Sequence, residues 1–160
     1  MGTLRRALGI APDDVVTLDR LAELHIRAGQ AREAVPYLEK LSSLGKTPEA
    51  ILSARLRLAQ AFSGTPEGLE RAGAELDLAL KIAPDHPGAL RWLVDVKRRR
   101  GDLEGARTIA QRLVNATRAT DADALLALAH VERDRGDAAR HLELLASAVA
   151  AAGPDSAASK

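Results

Sequence analysis

The chain has 160 residues, of which 46% are hydrophobic and only three are aromatic, and it carries 23 Lys and Arg against 22 Asp and Glu. A core made almost entirely of Leu, Ala, Val and Ile favours closely packed helices over a β-sheet. The net charge of +1 gives no bulk attraction to nucleic acid or to an anionic membrane, and the lack of cysteine excludes disulfides, thiolate metal sites and a cysteine nucleophile.

In chain order, the first predicted element is a helix over residues 4–10, which we interpret as the second helix of an incomplete pair. Pro12 with Asp13 and Pro84 with Asp85 end helices, since proline cannot continue one and Asp or Thr caps the next. Four helix pairs are predicted: 14–28 with 31–44, 48–62 with 67–83, 86–100 with 103–117, and 121–135 with 138–151.

Four glycines mark an internal repeat. Gly29, Gly64, Gly101 and Gly136 follow one another at spacings of 35, 37 and 35 residues, and each gap holds about two helices. Glycine at the end of each first helix is expected because a left-handed turn is cheap only for glycine. The second copy of the repeat matches the others less well, and it aligns with them only if its turn has one extra residue.

Small residues occupy matching positions in the repeats. On the first helices they are Ala22, Ala59 and Ala129, with Val94 in the same column, and on the second helices they are Ala34, Ala72 and Ala106. Facing small residues let two helix backbones approach closely while leucines interlock around them. One pair cannot bury its apolar face alone, so the pairs are expected to stack.

The period, the small-residue pair, the Gly-Asp turn and the Pro-Asp connector resemble the tetratricopeptide-repeat family over about residues 4–153. The resemblance implies an all-α, right-handed superhelical solenoid of four antiparallel helix pairs plus a leading half repeat. The chain departs from the family in the aromatic column, where His25, Lys97 and Glu132 stand beside Phe62, and in a small-residue column, where His141 stands. The domain is expected at 1–153, with a flexible tail at 154–160.

In this family the first helix of each pair lines a concave groove that holds peptides. The resemblance therefore implies a non-catalytic scaffold that binds a partner peptide or protein. The groove is expected to be acidic at its N-terminal end and basic in its C-terminal half, which would suit a bipolar or acidic guest. Its expected partner-binding residues are Asp19, Glu23, Arg27, Gln60, Arg91, Asp95, Arg98, Arg99, His130 and Arg133, with Val16, Ser53, Leu56, Asp123 and Leu126 beside them.

Other residue patterns point to packing more than to chemistry. The four histidines lack the spacing of a metal site, so we expect no metal, no cofactor and no catalytic residue. His25 and His141 are interpreted as packing residues, His86 as a cap or connector, and Trp92 as a packing residue more readily than an interface residue.

The run from Lys97 to Arg100 complements a helix dipole, although Arg27 and Arg133 on the same edge also suit a binding role. We therefore expect that reversing Arg98, Arg99 and Arg133 to Glu weakens partner binding and leaves stability nearly unchanged.

Two further functions stay open: a self-assembling structural element, and a regulatory segment cut from a larger enzyme. The exposed end helices, notably Leu142, Leu145 and Val149, favour a homo-oligomer.

No run reaches the roughly 18 apolar residues of a membrane span, so no membrane insertion is expected. The Ala- and Arg-rich composition suggests a bacterial protein. A cytoplasmic location is favoured over a fragment of a longer, exported protein.

Overall fold

The computed structural model describes residues 2–153, which are helical apart from short connections. These residues form two compact units that divide between Pro84 and Asp85. The first unit contains α1 (Gly2–Ile10), α2 (Val15–Arg27), α3 (Ala31–Leu44), α4 (Pro48–Phe62), a 3-10 turn (Pro66–Gly68) and α5 (Leu69–Ile82). The second unit contains α6 (Pro87–Arg99), α7 (Leu103–Ala116), α8 (Ala122–Arg135) and α9 (Ala138–Ala152). The predicted leading helix and four helix pairs are confirmed to within two residues at each end.

Side-chain caps start the first helix of every pair. Asp14 accepts a hydrogen bond from the Thr17 amide at 3.0 Å, and Thr47 accepts one from Ala50. The Nδ1 atom of His86 accepts one from the Ala89 amide at 3.1 Å, which confirms the predicted capping role of this histidine. Each bond satisfies one of the amides that a helix start leaves without an internal partner. The caps fix where each first helix begins.

Glycine ends three of the four first helices in the left-handed conformation. Gly29, Gly101 and Gly136 have φ of 72°, 78° and 85°, and the residue after each donates its amide to a carbonyl five positions earlier. This is the bonding pattern of a glycine-terminated helix. The expectation of a left-handed glycine is wrong at Gly64, because α4 ends at Phe62 with Ser63 as a right-handed cap and the chain then makes the 3-10 turn.

The small-residue columns form the seams within the pairs. Ala22 and Ala34 are both 0% exposed and belong to one core cluster with Leu18 and Leu38. Ala59 with Ala72 and Val94 with Ala106 are buried in the same way in the next two pairs. In the last pair His141 replaces the small residue, and its Nδ1 lies 2.8 Å from the carbonyl oxygen of Ala129. This hydrogen bond adds a polar contact to the packing of α8 against α9.

His25 occupies the aromatic column in the first pair. It is 2% exposed and stacks on Tyr37 with ring centroids 5.7 Å apart. Its Nδ1 lies 3.0 Å from Oε1 of Gln30, the residue that begins the next helix. The predicted packing role of His25 is confirmed.

Glu132 occupies the same column in the last pair as a buried carboxylate, 2% exposed. Arg107 Nε donates to one carboxylate oxygen at 2.8 Å, and Arg135 donates to the other at 2.6 Å. Burial raises the pKa of Glu132. The hydrogen bonds and charges of Arg107 and Arg135 lower this pKa by more than burial raises it, so the pKa lies below its ordinary value. The two arginines, which lie on α7 and α8, therefore keep the carboxylate ionised and join these helices.

The connection between α7 and α8 contains two consecutive non-glycine residues with left-handed backbone, Arg118 with φ of 53° and Ala119 with φ of 56°. The amide of Ala119 bonds to the carbonyl of Val114 at 2.9 Å, the same pattern that glycine makes in the other turns. Conformations of this kind are unfavourable for residues with a Cβ atom. Packing of α7 and α8 therefore holds this turn in place.

No helix within residues 2–153 is both long enough and apolar enough to cross a membrane. The tail expected at 154–160 lies outside the described residues. The domain boundaries at 1–153 stay a prediction.

Ala22→Leu or Ala106→Leu is expected to destabilise the fold by about 1–3 kcal/mol, because extra methylenes do not fit a fully packed seam. The midpoint of urea denaturation measures this. Ala74→Leu is the matched control, since Ala74 lies in the interior of α5 and is exposed. Equal midpoints for Ala22→Leu and Ala74→Leu would show that the seam is not tightly packed.

Acid is expected to remove a contribution to stability that comes from Glu132. Because its pKa is lowered in the folded chain, the contribution is complete above the ordinary value of 4.5 and is lost as the pH falls through the folded value. The stability difference between wild type and Glu132→Gln should therefore shrink between pH 7 and pH 3 in urea titrations. Glu143→Gln, at an exposed carboxylate paired with Arg140, is the control. A difference that stays constant with pH would contradict the coupling of Glu132 to its arginines.

Candidate functional site

In the first unit, α2 and α4 border an apolar cleft of about 540 Å³. Its floor and walls come from the start of α2, the end of α3, the α3–α4 connection and the first turns of α4. The lining residues are Val15, Val16, Asp19, Leu41, Leu44, Gly45, Lys46, Thr47, Ala50, Ser53, Ala54 and Arg57. Half of the lining residues are aliphatic, and most of the lining surface is apolar, so this part of the surface suits an apolar guest group.

Gly45 shapes one end of this cleft. A Cβ atom on Gly45 would lie 2.5 Å from Cγ1 of Ile51, which is closer than such atoms approach each other. Glycine therefore lets the α3–α4 connection lie directly against α4. The next residues, Lys46 and Thr47, border the cleft, and Thr47 caps α4.

A polar concavity of about 430 Å³ adjoins the cleft on the same face of α2 and α4. Its lining residues are Asp19, Glu23, Ile26, Arg27, Arg57 and Gln60. Asp19 and Arg57 also line the cleft, and the ion pair between them joins α2 to α4. Glu23 contacts Arg20 at 2.9 Å and Arg27 at 2.5 Å. This face therefore combines an apolar half and a polar half that share one ion pair.

In the second unit, α6 and α8 border a third concavity, of about 290 Å³. Its lining residues are Arg91, Val94, Asp95, Arg98, Asp123, Leu126, Ala127 and His130. Arg91 contacts Asp121 at 3.1 Å and Asp123 at 3.0 Å. Arg98 donates from Nε at 2.9 Å and from a terminal nitrogen at 2.6 Å to one oxygen of Asp134. Both arginines that line this concavity are therefore held by carboxylates of α8 or of its capping residue, Asp121.

His130 lies among these charges. Burial lowers its pKa, and the positive charges of Arg98 and Arg133 lower it further, with Asp134 acting in the opposite direction. His130 is consequently neutral at pH 7 and offers one hydrogen-bond donor and one acceptor. The carboxyl pKa of Asp134 is lowered overall: burial raises it, and the hydrogen bonds from Arg98 and Arg133 outweigh burial.

The predicted site residues fall into three groups. Asp19, Glu23, Arg27 and Gln60 lie together in the first unit. Arg91, Asp95, Arg98 and His130 lie together in the second unit. Arg99 and Arg133 line neither concavity: Arg99 lies 3.8 Å from Asp95 and Arg133 lies 3.2 Å from Asp134.

Two side chains lie in surroundings that the sequence does not reveal. Reversing Arg98 is expected from the sequence to leave stability nearly unchanged, but this side chain is 21% exposed and is bound to Asp134. Trp92 is 40% exposed and lies outside the core, and its role in packing between helices stays a prediction. Neighbouring Leu90 and Leu93 take the buried positions of α6 instead.

Sequence reasoning missed the apolar cleft and the role of Arg57. The cleft depends on the α3–α4 connection, and nothing in the spacing of the repeats predicts how close Gly45 lies to α4. Arg57 was detectable, because it stands one turn before Gln60 on the helix face that was assigned to the groove. The expected separation of acidic and basic ends is replaced by local ion pairs in each unit.

Solved structures match the chain over most of its length. A crystal structure of MamA has a TM-score of 0.80 at 18% identity and covers 92% of this chain and 84% of its own. YrrB, described as a TPR protein with an unusual peptide-binding site, has a TM-score of 0.77 at 16% identity and covers 95% and 75%.

A third structure is TTC0263, a thermophilic TPR protein of Thermus thermophilus. It has a TM-score of 0.64 at 20% identity and covers 96% of this chain and 82% of its own. The chain has the tetratricopeptide-repeat fold. No protein-family model matches the sequence of this repeat domain, and no curated protein matches it.

Within this repeat domain, Arg98→Glu is expected to lower the free energy of unfolding by about 1–3 kcal/mol, because it places two carboxylates together in a partly buried contact. The double variant Arg99→Glu with Arg133→Glu should change it by less than about 0.5 kcal/mol, since both side chains are more exposed. Thermal and urea denaturation of the three proteins make the comparison. Equal losses in the two variants would contradict a structural role specific to Arg98.

Proposed function

We propose that this repeat domain is a non-catalytic scaffold that holds a peptide segment of another protein against the concavities of its first helices. The observation that carries the proposal is that each unit has a concave surface bordered by neighbouring first helices, α2 with α4 and α6 with α8. A further concavity of about 460 Å³ is lined by α7 alone and only by polar residues. Surfaces repeated at the period of the fold suit an extended guest that contacts several repeats in turn.

The ion pairs of these surfaces support binding. The pairs of Arg57 with Asp19, and of Arg91 with Asp123, connect neighbouring first helices and hold polar groups in position before a guest arrives. A surface that is already ordered loses less conformational entropy when it binds. Carboxylate oxygens and arginine nitrogens that remain at the surface offer acceptors and donors to a peptide backbone.

The lining residues do not combine into a reactive set. Ser53 and Thr47 line a cleft without a histidine, whereas His130 lines a concavity that contains no hydroxyl side chain. Nucleophilic catalysis needs a nucleophile and a base within hydrogen-bond reach of each other. Binding therefore accounts for these surfaces better than an enzymatic reaction does.

The fold supports the same proposal. YrrB, which shares the fold, is described as having a peptide-binding site. We extend to this chain only the class of guest, a peptide, and not the position of that site. The charges of Arg91 and Arg98 in the second unit give little preference for an acidic guest there, because each arginine is already paired with a carboxylate at or next to α8.

Self-association is a second candidate, and α9 carries the observation that favours it. Leu142 is 64% exposed and Val149 is 73% exposed, one heptad apart on the same face. Leu145 lies between them and is half-buried. Exposed apolar stripes of this kind are sites of protein contact. Sedimentation across a concentration series, with Leu142→Glu as the variant, tests this alternative.

Selection from a library of random nonapeptides displayed on phage tests the proposed function. Selected peptides should lose at least about tenfold in affinity when a bulky residue fills a concavity, as in Gln60→Trp in the first unit or Ala127→Trp in the second. Fluorescence anisotropy with the labelled peptides measures the change.

Ala74→Trp and Ala116→Trp are the matched controls, since both residues lie on second helices, are exposed and line none of the concavities described above. These variants should bind as the wild type does. Failure to select any peptide, or equal losses in variants and controls, would contradict binding on the first helices.

A further inference from the structure

The apolar cleft of the first unit has a chemical character that the other concavities lack. Val15 is 49% exposed and Val16 is 77% exposed, although both are aliphatic and border the cleft. Leu41 and Leu44 form the opposite wall. Exposed aliphatic groups around one concavity gain free energy when an apolar side chain covers them.

Among the charged residues that line the cleft, one cation has no anion beside it. Arg57 is bound to Asp19, so these two charges neutralise each other. Lys46 is exposed, borders the cleft, and has no hydrogen bond or ion pair with another described residue. A guest that fills the cleft therefore meets one unneutralised ammonium group at its edge, which an acidic group complements.

The surface around the cleft indicates a chain-like guest. The ion pair of Asp19 and Arg57 is shared with the polar concavity of Glu23, Arg27 and Gln60. A guest that holds an apolar group in the cleft therefore places its neighbouring groups against a polar surface. A peptide has this alternation of apolar side chains and polar backbone, whereas a purely apolar small molecule does not.

We propose that this cleft is a subsite for a peptide in which an aliphatic side chain stands next to an acidic residue. The aliphatic side chain contacts Val16, Leu41 and Leu44, and the acidic residue pairs with Lys46. The peptide continues over Asp19 and Arg57 onto the polar concavity. This inference rests on the proposed function and adds the specificity of the first unit.

Two variants test the subsite without entering the core. Ser53→Phe should fill the cleft and weaken binding by at least about tenfold, because it excludes the aliphatic side chain. Lys46→Glu should weaken binding by about two- to fivefold at low salt, with a smaller effect at high salt, as expected for an exposed ion pair. Ser43→Phe and Lys81→Glu are the matched controls, since both residues are exposed in the same unit and lie outside the cleft.

The probe is a labelled nonapeptide from the phage selection, together with versions in which Ala replaces its aliphatic residue or Gln replaces its acidic residue. The inference predicts that the selected sequences share an aliphatic residue with Asp or Glu within two positions. It also predicts that Lys46→Glu no longer distinguishes the peptide with Glu from the peptide with Gln. Amide chemical shifts of Val16, Gly45 and Ser53 should change when the peptide binds.

Other outcomes separate the two proposals. If peptides bind and respond to Ala127→Trp but not to Ser53→Phe, the subsite is wrong and the scaffold proposal stands. If no peptide binds, both proposals fail. If the chain self-associates and Ser53→Phe abolishes that association, the cleft accepts a second copy, and the peptide subsite is overturned.

Discussion

Close contact between small side chains is the constraint on which the rest of the structure depends. Burial is almost complete for Ala22 with Ala34 and for Ala59 with Ala72. Small side chains of this kind let the two helices of a pair pack closely. Leucines such as Leu38 and Leu58 then fill the space around the seam. Where a larger residue enters the column, as His141 does, it makes a hydrogen bond to the Ala129 carbonyl. The seams fix the direction of each first helix and thereby the surfaces that the first helices present.

Ion pairs between neighbouring first helices add a second layer of order. Arg57 on α4 reaches Asp19 on α2, and Arg98 on α6 reaches Asp134 on α8. Because these charges already have partners, the concave surfaces carry little unbalanced charge. The choice of guest therefore depends more on shape and on apolar contact than on charge. Lys46 is the exception at the cleft, which is why one cation can have a measurable influence there.

Much of the fold could be predicted from the sequence because its signals are local and repeat in register. The helix pairs follow from apolar spacing, capping residues and the glycines, of which Gly29, Gly101 and Gly136 have left-handed backbone. Gly64 lies in the predicted turn but lacks the left-handed backbone of the other three, because the presence of a glycine does not determine its φ angle. The site was less predictable. Helix periodicity places Asp19 and Arg91 on the first helices, but it does not reveal that Arg57 and Asp123 neutralise them, because such contacts depend on tertiary packing.

The exposure of Trp92 has a spectroscopic consequence. It is the only tryptophan of the chain, it lies in the second unit, and it is 40% exposed, whereas the single tyrosine, Tyr37, lies in the first unit against His25. Selective excitation of the indole therefore follows the second unit alone, while circular dichroism follows helices in both. Repeat proteins unfold repeat by repeat when coupling between neighbours is weak. Agreement or separation of the two optical signals thus reports whether the chain melts as one cooperative body.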